Sequence, residues 1–234
     1  MKYMGSKNRI AKHILPIMLD AAQKRGITTW VEHFVGGGNM IDKVPIHFKR
    51  IGIDANPHTI AALIGIRDFL DDLPSDVSEE YYKSIKKTGS NPITSWIRFE
   101  CSFGAKFENG FARNAKKSNY AWMGLNLAKK QSPKLQGVEL ICGNYLDYSE
   151  FENCSIYADP PYFGTTSYKT DKFDHKVFWQ WCRKMSEKNV VFISEYQAPD
   201  DFACIWEGQV KTNFASQRSG ATHNATEKLF IHHK

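Results

Sequence analysis

The spacing of apolar residues changes abruptly along the first quarter of the chain. Ile10, Ile14, Ile17, Met18 and Ala21 recur at helical intervals, which predicts a helix running to about Lys24, with Ser6 as its cap and Pro16 inside it. Thr29 to Phe34 then reads as a short strand, and Val35-Gly36-Gly37-Gly38-Asn39 as the glycine-rich turn that ends it. Arg50 to Ile53 predicts a second strand, ending in Asp54, and Pro57 to Leu70 a helix started at Asn56. Strand, glycine turn, strand, acid and helix form the order expected of a parallel α/β sheet.

The pattern returns after residue 134. Val138 to Cys142 and Ser155 to Ala158 are short apolar runs that end in polar clusters, Gly143-Asn144-Tyr145 and Asp159-Pro160-Pro161-Tyr162. Phe173 to Lys188 predicts a helix, Asn189 to Ser194 a buried strand, and Ala203 to Trp206 with Lys228 to His232 a closing hairpin at the sheet edge. There is no internal repeat and no low-complexity tract. The expected architecture is one α/β domain, 1–76 and 135–234, interrupted by an insertion, 77–134. The longest N-terminal apolar stretch, Ile14 to Leu19, is broken by Pro16 and ended by Asp20. No segment approaches the roughly 20 apolar residues that span a bilayer, so a soluble, cytoplasmic protein without a membrane partner is expected.

Composition adds little until charge is mapped. With 42% hydrophobic and 24% charged residues over 234 positions, the chain sits at the globular average, which excludes disordered and collagen-like classes. The five cysteines, Cys101, Cys142, Cys154, Cys182 and Cys204, are odd in number and contain no C-x-x-C pair. That argues against a zinc site or a disulfide framework. The eight histidines show no H-E-x-x-H spacing, so no metal is expected. The net charge of +6 is unevenly placed: Lys83 to Lys134 holds eleven basic residues against Glu100 and Glu108, a local balance of +9 that leaves −3 elsewhere. Trp96, Phe99, Phe103, Phe107, Phe111, Tyr120 and Trp122 are interleaved with these cations. A polyanion explains such a segment better than a set of solvated helix faces.

Asp159-Pro160-Pro161-Tyr162 is the most specific chemical feature. Two prolines hold the backbone rigid, and Pro160 supplies a carbonyl without a donor. Open α/β sheets bind ligands at the carboxyl ends of their strands, where this tetrapeptide falls. A carboxylate, a fixed carbonyl and a following aromatic make a site that accepts two hydrogen bonds from an amine and stacks a flat ring. The glycine turn lets backbone approach a ligand closely, and Asp54 is placed to accept from ribose hydroxyls. No G-x-x-x-x-G-K-[ST] occurs, so the pocket suits a nucleoside without a phosphate chain.

In their order these motifs resemble the Dam-type DNA adenine methyltransferases, α-class enzymes that use S-adenosylmethionine. The chain presents Lys2-Tyr3-Met4-Gly5-Ser6-Lys7, Phe34-Val35-Gly36-Gly37-Gly38, Asp54, the basic segment and Asp159 to Tyr162 in the family's sequence of elements. The resemblance covers nearly the whole chain and implies a Rossmann-like methyltransferase sheet with helices on both faces. It also implies that the mostly helical basic insertion is a target-recognition subdomain. Tyr3 and Lys7 would border the cofactor's methionine end, Phe34, Gly36 and Gly38 would line it, and Asp54 would hold the ribose. Asn144, with Tyr145, stands where the family commonly has an acid contacting the cofactor adenine. Asp159, Pro160 and Tyr162 would be catalytic, with Asp159 also facing the cofactor. Arg98, Arg113, Asn114, Lys116, Lys117 and Asn119 would contact DNA, joined by Arg218 in Ser216-Gln217-Arg218-Ser219-Gly220. Apart from the resemblance, Tyr168, Lys169 and Lys172 follow Tyr162 in a polar loop that either closes over DNA or is simply solvated.

The implied reaction is methyl transfer from S-adenosylmethionine, leaving S-adenosylhomocysteine, to the exocyclic amine of a flipped adenine in double-stranded DNA, with no metal and no obligate protein partner. The alternatives are the same site acting on cytosine or RNA, and a catalytically inactive DNA-binding module that keeps the fold. The related cytosine enzymes usually resemble S-P-P-Y, which favours adenine. The recognised site, the oligomeric state and the choice among restriction-modification, phage and stand-alone roles are not written in the sequence.

Overall fold

The structure is a computed structural model that describes residues 1–162, 173–212 and 223–233. It is an α/β fold of Rossmann-like type. Six α-helices occur among the described residues: α1 (Ala11–Lys24), α2 (Pro57–Asp68), α3 (Glu79–Ser84), α4 (Pro92–Glu100), α5 (Tyr120–Leu135) and α6 (His175–Ser186). Seven strands accompany them: β1 (Thr29–His33), β2 (Lys49–Asp54), β3 (Val138–Cys142), β4 (Ser155–Ala158), β5 (Val190–Glu195), β6 (Phe202–Thr212) and β7 (His223–His232). The chain divides into two compact units, 1–8 with 34–145, and 9–33 with 146–234. No described helix is long and apolar enough to cross a membrane.

In the first unit β2 and β3 run parallel, in register from Arg50 opposite Val138 to Asp54 opposite Cys142. Parallel neighbours need a crossover, here made by α2 to α5. Asn56 caps α2 by accepting from the His58 amide at 3.0 Å, and Pro57 occupies the first turn, where a missing N–H costs nothing. Most of α2 is buried, and α4 and α5 pack on it. A Cβ at Gly65 would fall 2.8 Å from the Pro92 carbonyl oxygen, so only glycine lets α4 begin there. Trp96, Ile97 and Phe99 of α4 are fully buried. The buried Arg50 guanidinium donates to the carbonyls of Lys134 at 2.8 Å and Gln136 at 2.5 Å, satisfying acceptors that the end of α5 leaves without helical partners.

In the second unit β1 pairs with β4 and β4 with β5, all parallel, while β7 runs antiparallel to both β5 and β6. Every residue of β4 and β5 is buried, the mark of strands covered on both faces, and α1 and α6 both pack on β5. The closing hairpin is longer than its apolar pattern suggests, because β6 and β7 continue into polar residues through a bulge between Cys204 and Trp206. Asp174 caps α6 by accepting from the Val177 amide at 3.0 Å, and Phe178, Trp181, Cys182 and Met185 form its buried face. His33, fully buried at the end of β1, sits edge-on to Trp181 at 4.9 Å.

One local expectation is corrected. Ser6 does not cap α1: a 3-10 turn, Lys7–Arg9, intervenes, and the cap position is Ile10 with no side-chain hydrogen bond. The Ser6 hydroxyl instead accepts from the Asn8 amide at 3.4 Å.

Candidate active site

The first unit gathers most of the residues expected around a nucleoside. Phe34 follows β1 with φ of +65° and Gly36 and Gly38 take φ of +50° and +66°, a left-handed geometry that glycine adopts without strain. Here space demands glycine as well. A Cβ on Gly36 would lie 2.9 Å from the Tyr3 ring, and one on Gly37 would lie 2.7 Å from the Tyr3 Cβ. Tyr3, predicted to border the cofactor, therefore packs directly on the loop. Its ring also meets Phe99 of α4 at 5.6 Å.

Asp54 ends β2 and closes the loop from the other side. Its two carboxylate oxygens accept from the Gly36 amide at 3.0 Å and the Asn56 amide at 2.9 Å. Burial pushes the carboxyl up to about 6, against the pull of those two amides in the other direction. Each oxygen keeps acceptor capacity beyond one amide, so the group can still take hydroxyl donors. On the neighbouring strand the Gly143 amide donates to the Asp54 carbonyl at 3.1 Å, which brings the exposed Asn144 and the buried Tyr145 to the same strand ends. The Phe34 and Tyr145 rings lie 5.2 Å apart. Lys7 is 8% exposed, with its ammonium donating to the Gly5 carbonyl at 3.3 Å.

Three contacts of this loop or of the N-terminal segment packed on it were not anticipated from the sequence. Gln131 of α5 donates to the carbonyls of Gly37 at 3.0 Å and Gly38 at 3.2 Å and to Asp42 at 3.2 Å. Glu100 of α4, 1% exposed, accepts from the Lys2 amide at 2.8 Å, with the Lys2 ammonium 3.6 Å away. Asn39 donates to the Met1 carbonyl at 3.0 Å. A signal existed for Gln131, which shares helical spacing with buried Ala128 and Leu135. For Glu100 the signal was an isolated acid in a basic segment.

The second unit holds the Asp159 turn. Asp159 is the first residue after β4, Pro160 is buried, and Tyr162 is half-buried. The Tyr162 hydroxyl donates to Glu227 of β7 at 2.7 Å, and its ring stands edge-on to Tyr196 at 4.6 Å. Burial, reinforced by the nearby Asp159 and Glu227 carboxylates, holds the Tyr162 phenol well above its ordinary range, so the hydroxyl stays protonated and able to donate. A cleft of about 440 Å³ beside the start of α1, lined by His13 and Trp206 among others, contains none of the predicted site residues.

The residues expected at DNA divide by exposure. Arg98 is 2% exposed: it pairs with Glu108 at 2.8 Å, donates to the Thr88 carbonyl at 2.9 Å, and stacks over Phe107 at 4.4 Å. Arg113 is exposed and pairs with Glu79. Asn114 bonds Ser118, and Asn119 caps α5 through the Trp122 amide at 2.8 Å while holding the Ser75 carbonyl. Lys116 and Lys117 are exposed, with Trp122 also 57% exposed at the start of α5. Arg218, Tyr168, Lys169 and Lys172 lie outside the described residues. No group of three or more His, Cys, Asp or Glu side chains suited to a metal occurs among the described residues.

Residues 3–197 match the model of the D12 class N6 adenine-specific DNA methyltransferases. No curated protein matches the chain. Among solved structures, it is similar to PH1948 from Pyrococcus horikoshii, provisionally named an RNA methyltransferase. That likeness is at 12% identity and a TM-score of 0.46, covering 100% of this chain and 87% of that one. It is also similar to HI0767 from Haemophilus influenzae, provisionally named a methylase, at 8% identity and a TM-score of 0.39, covering 96% and 89%. At this similarity neither bears on the substrate of this chain.

Proposed function

The chain belongs to the D12 class N6 adenine-specific DNA methyltransferase family, and on that premise we propose that it methylates the N6 amine of a flipped adenine in duplex DNA, using S-adenosylmethionine. The observation that carries the reading is the place of Asp159, the first residue beyond a fully buried parallel strand, followed by two prolines and a tyrosine with a fixed hydroxyl. Strand ends of this kind are where α/β sheets do their chemistry.

The residues of the first unit fit the cofactor. The left-handed Gly36 and Gly38 let the loop turn tightly, with the Tyr3 ring and Leu63 in the space that side chains there would need. A buried carboxyl raised to about 6 gains from donors that favour its charged form. In this reading Asp54 takes the ribose hydroxyls, Asn144, Phe34 and Tyr145 surround the adenine, and Tyr3 and Lys7 border the methionine end. Bound there, S-adenosylmethionine supplies an electrophilic sulfonium methyl.

Everything else rests on this chain's own groups. The adenine amine is a weak nucleophile because its lone pair is conjugated with the ring. The Asp159 carboxylate and the Pro160 carbonyl accept its two hydrogens, which favours a pyramidal nitrogen and turns the lone pair outward. Acceptors already in place stabilise the positive charge that develops on nitrogen, and fixed geometry supplies much of the acceleration. Tyr162 stacks on the base once it has left the helix, since a stacked base cannot reach such a site. The 77–134 segment serves as the target-recognition element. Lys116 and Lys117 take phosphates, and Arg113, Asn114 and Asn119 are the candidate readers. Arg98 enters as a brace for the 106–108 loop, and Arg218 as a phosphate contact. Soluble, cytoplasmic action on the nucleoid goes with this reading.

The test is incorporation of labelled methyl from S-adenosylmethionine into duplex DNA, with RNA of the same sequence in parallel. Label in DNA alone is expected. Label in RNA alone would transfer the reading to the RNA alternative, and a protein that binds DNA without transfer would be the inactive module.

A further inference from the structure

Glu227 is a carboxylate placed where the strand pattern would put an apolar residue. It shares a face of β7 with Leu229, which is fully buried, and is itself 9% exposed. A carboxylate taken from water at such a position is costly unless a donor meets it, and the Tyr162 hydroxyl does so at 2.7 Å. The sheet register explains why they meet. Glu195, the last residue of β5, lies opposite Lys228, so the next residue along each strand direction, Tyr196 and Glu227, stand at the same level. Tyr162 reaches that level from the end of β4, which pairs with β5 through Ala158 and Ile193. Its hydroxyl is then tied to β7 while its ring edge meets Tyr196 at 4.6 Å and 82°.

We propose that Glu227 is a positioning residue for base recognition: by holding the Tyr162 hydroxyl it sets the tilt of the ring on which the flipped adenine stacks. The inference rests on the function proposed above. A tyrosine ring after two prolines has a constrained backbone but still rotates about its own side-chain bonds. One hydrogen bond at the far end of the ring and one edge contact at its side remove that freedom before the base arrives. The ordering cost is then met on folding rather than at each encounter with DNA. Glu227 accepts only, so what matters is an acceptor oxygen, not a proton transfer.

The test is steady-state kinetics on wild type, Glu227→Ala, Glu227→Gln, Tyr162→Phe and the Ala/Phe double variant, with S-adenosylhomocysteine affinity and thermal midpoint measured on each. Glu227→Ala and Tyr162→Phe remove the same hydrogen bond from opposite ends. Each is expected to lower kcat about tenfold with cofactor affinity unchanged, and the double variant to be no worse than either single one. Glu227→Gln keeps an acceptor oxygen and should stay within about threefold of wild type. Fluorescence of 2-aminopurine at the target position reports stacking directly and should change in the Ala variant but not in the Gln variant. An Ala variant with wild-type kcat, single effects that multiply in the double variant, or a Gln variant as impaired as Ala while its thermal midpoint is unchanged would each overturn the inference. A wild-type protein that methylates no DNA adenine would overturn the function itself, a separate outcome read before any variant.

Discussion

The glycine loop and the Asp159 turn are both strand ends, yet they are held in different ways. The loop in the first unit is fixed from three directions: Asp54 takes the Gly36 amide, Gln131 takes two of its carbonyl oxygens, and the Tyr3 ring fills the space that side chains at Gly36 and Gly37 would need. The turn in the second unit carries two prolines of its own, and a distant bond, Tyr162 to Glu227, ties it to another strand. In the proposed reading the loop shapes the nucleoside site, and hydrogen bonds to its peptide groups keep it still. In the same reading the turn presents side-chain acceptors to a base, and the bond between Tyr162 and Glu227 reaches it from a strand distant in sequence. Changes in the first region should therefore register in cofactor affinity, and changes in the second in turnover.

The largest effect expected from that contrast is at Asp159. Asp159→Ala should lower methyl transfer at saturating cofactor by about 100-fold or more, the scale of losing one fixed transition-state partner, while S-adenosylhomocysteine affinity and duplex binding stay near wild type. Parallel losses in turnover and cofactor affinity would erase the distinction between the regions.

Asp54 is the corresponding position in the first region. Asp54→Ala should weaken S-adenosylhomocysteine by about 1 to 3 kcal/mol in calorimetric titration, the loss of a charged acceptor. Its pKa also sets a pH dependence. The folded carboxyl, raised to about 6, holds a proton that the unfolded chain has already released, so it subtracts stability as pH rises from about 4 to 6. Ribose donors favour the charged form, so cofactor affinity should fall below pH 6, by at most about tenfold per unit. Binding at pH 5.5 should release a proton. Asp54→Asn should bind more weakly with a flat profile between pH 5 and 8, and a wild-type profile that is flat there would remove the ribose contact from Asp54.

Gly36→Ala sharpens the same region by packing alone. Its Cβ would press on the Tyr3 ring at 2.9 Å in a left-handed backbone, so a stability loss of about 1 to 2 kcal/mol and a several-fold weaker cofactor are expected. Denaturant unfolding with and without S-adenosylhomocysteine checks both. The smallest effect is at the exposed lysines. Neutralising Lys116 and Lys117 together should reduce the slope of log affinity for duplex against log salt by roughly 1 to 2, because each phosphate contact contributes about 0.9. Cofactor affinity should not move, and an unaltered slope would leave the two lysines as solubilising groups.

The parts of this architecture that depend on neighbours in sequence were legible in the chain. Alternating and continuous apolar runs marked the strands, Asn56 and Pro57 the start of α2, and glycines the loop between β1 and β2. Long-range partners were not legible. Gln131 lies 93 residues from Gly38 and Glu227 lies 65 from Tyr162, and no local pattern says which buried polar group will meet which. Charge counting was blind in the same way. The +9 balance of Lys83 to Lys134 could not reveal that Arg98 turns inward to Glu108 and Phe107 while Lys116 and Lys117 face solvent. Ser6 failed as a cap because the 3-10 turn after it delays the helix to Ala11 and moves the cap to Ile10, a shift of four positions that apolar spacing does not register.

Nucleoside analysis of duplex DNA after incubation with the protein and S-adenosylmethionine tests the central claim most directly, because it identifies the atom that received the methyl group. N6-methyl-2′-deoxyadenosine as the methylated product is the result expected. A methylated cytosine in its place, or no methylated nucleoside from a folded protein that binds S-adenosylhomocysteine, would contradict it.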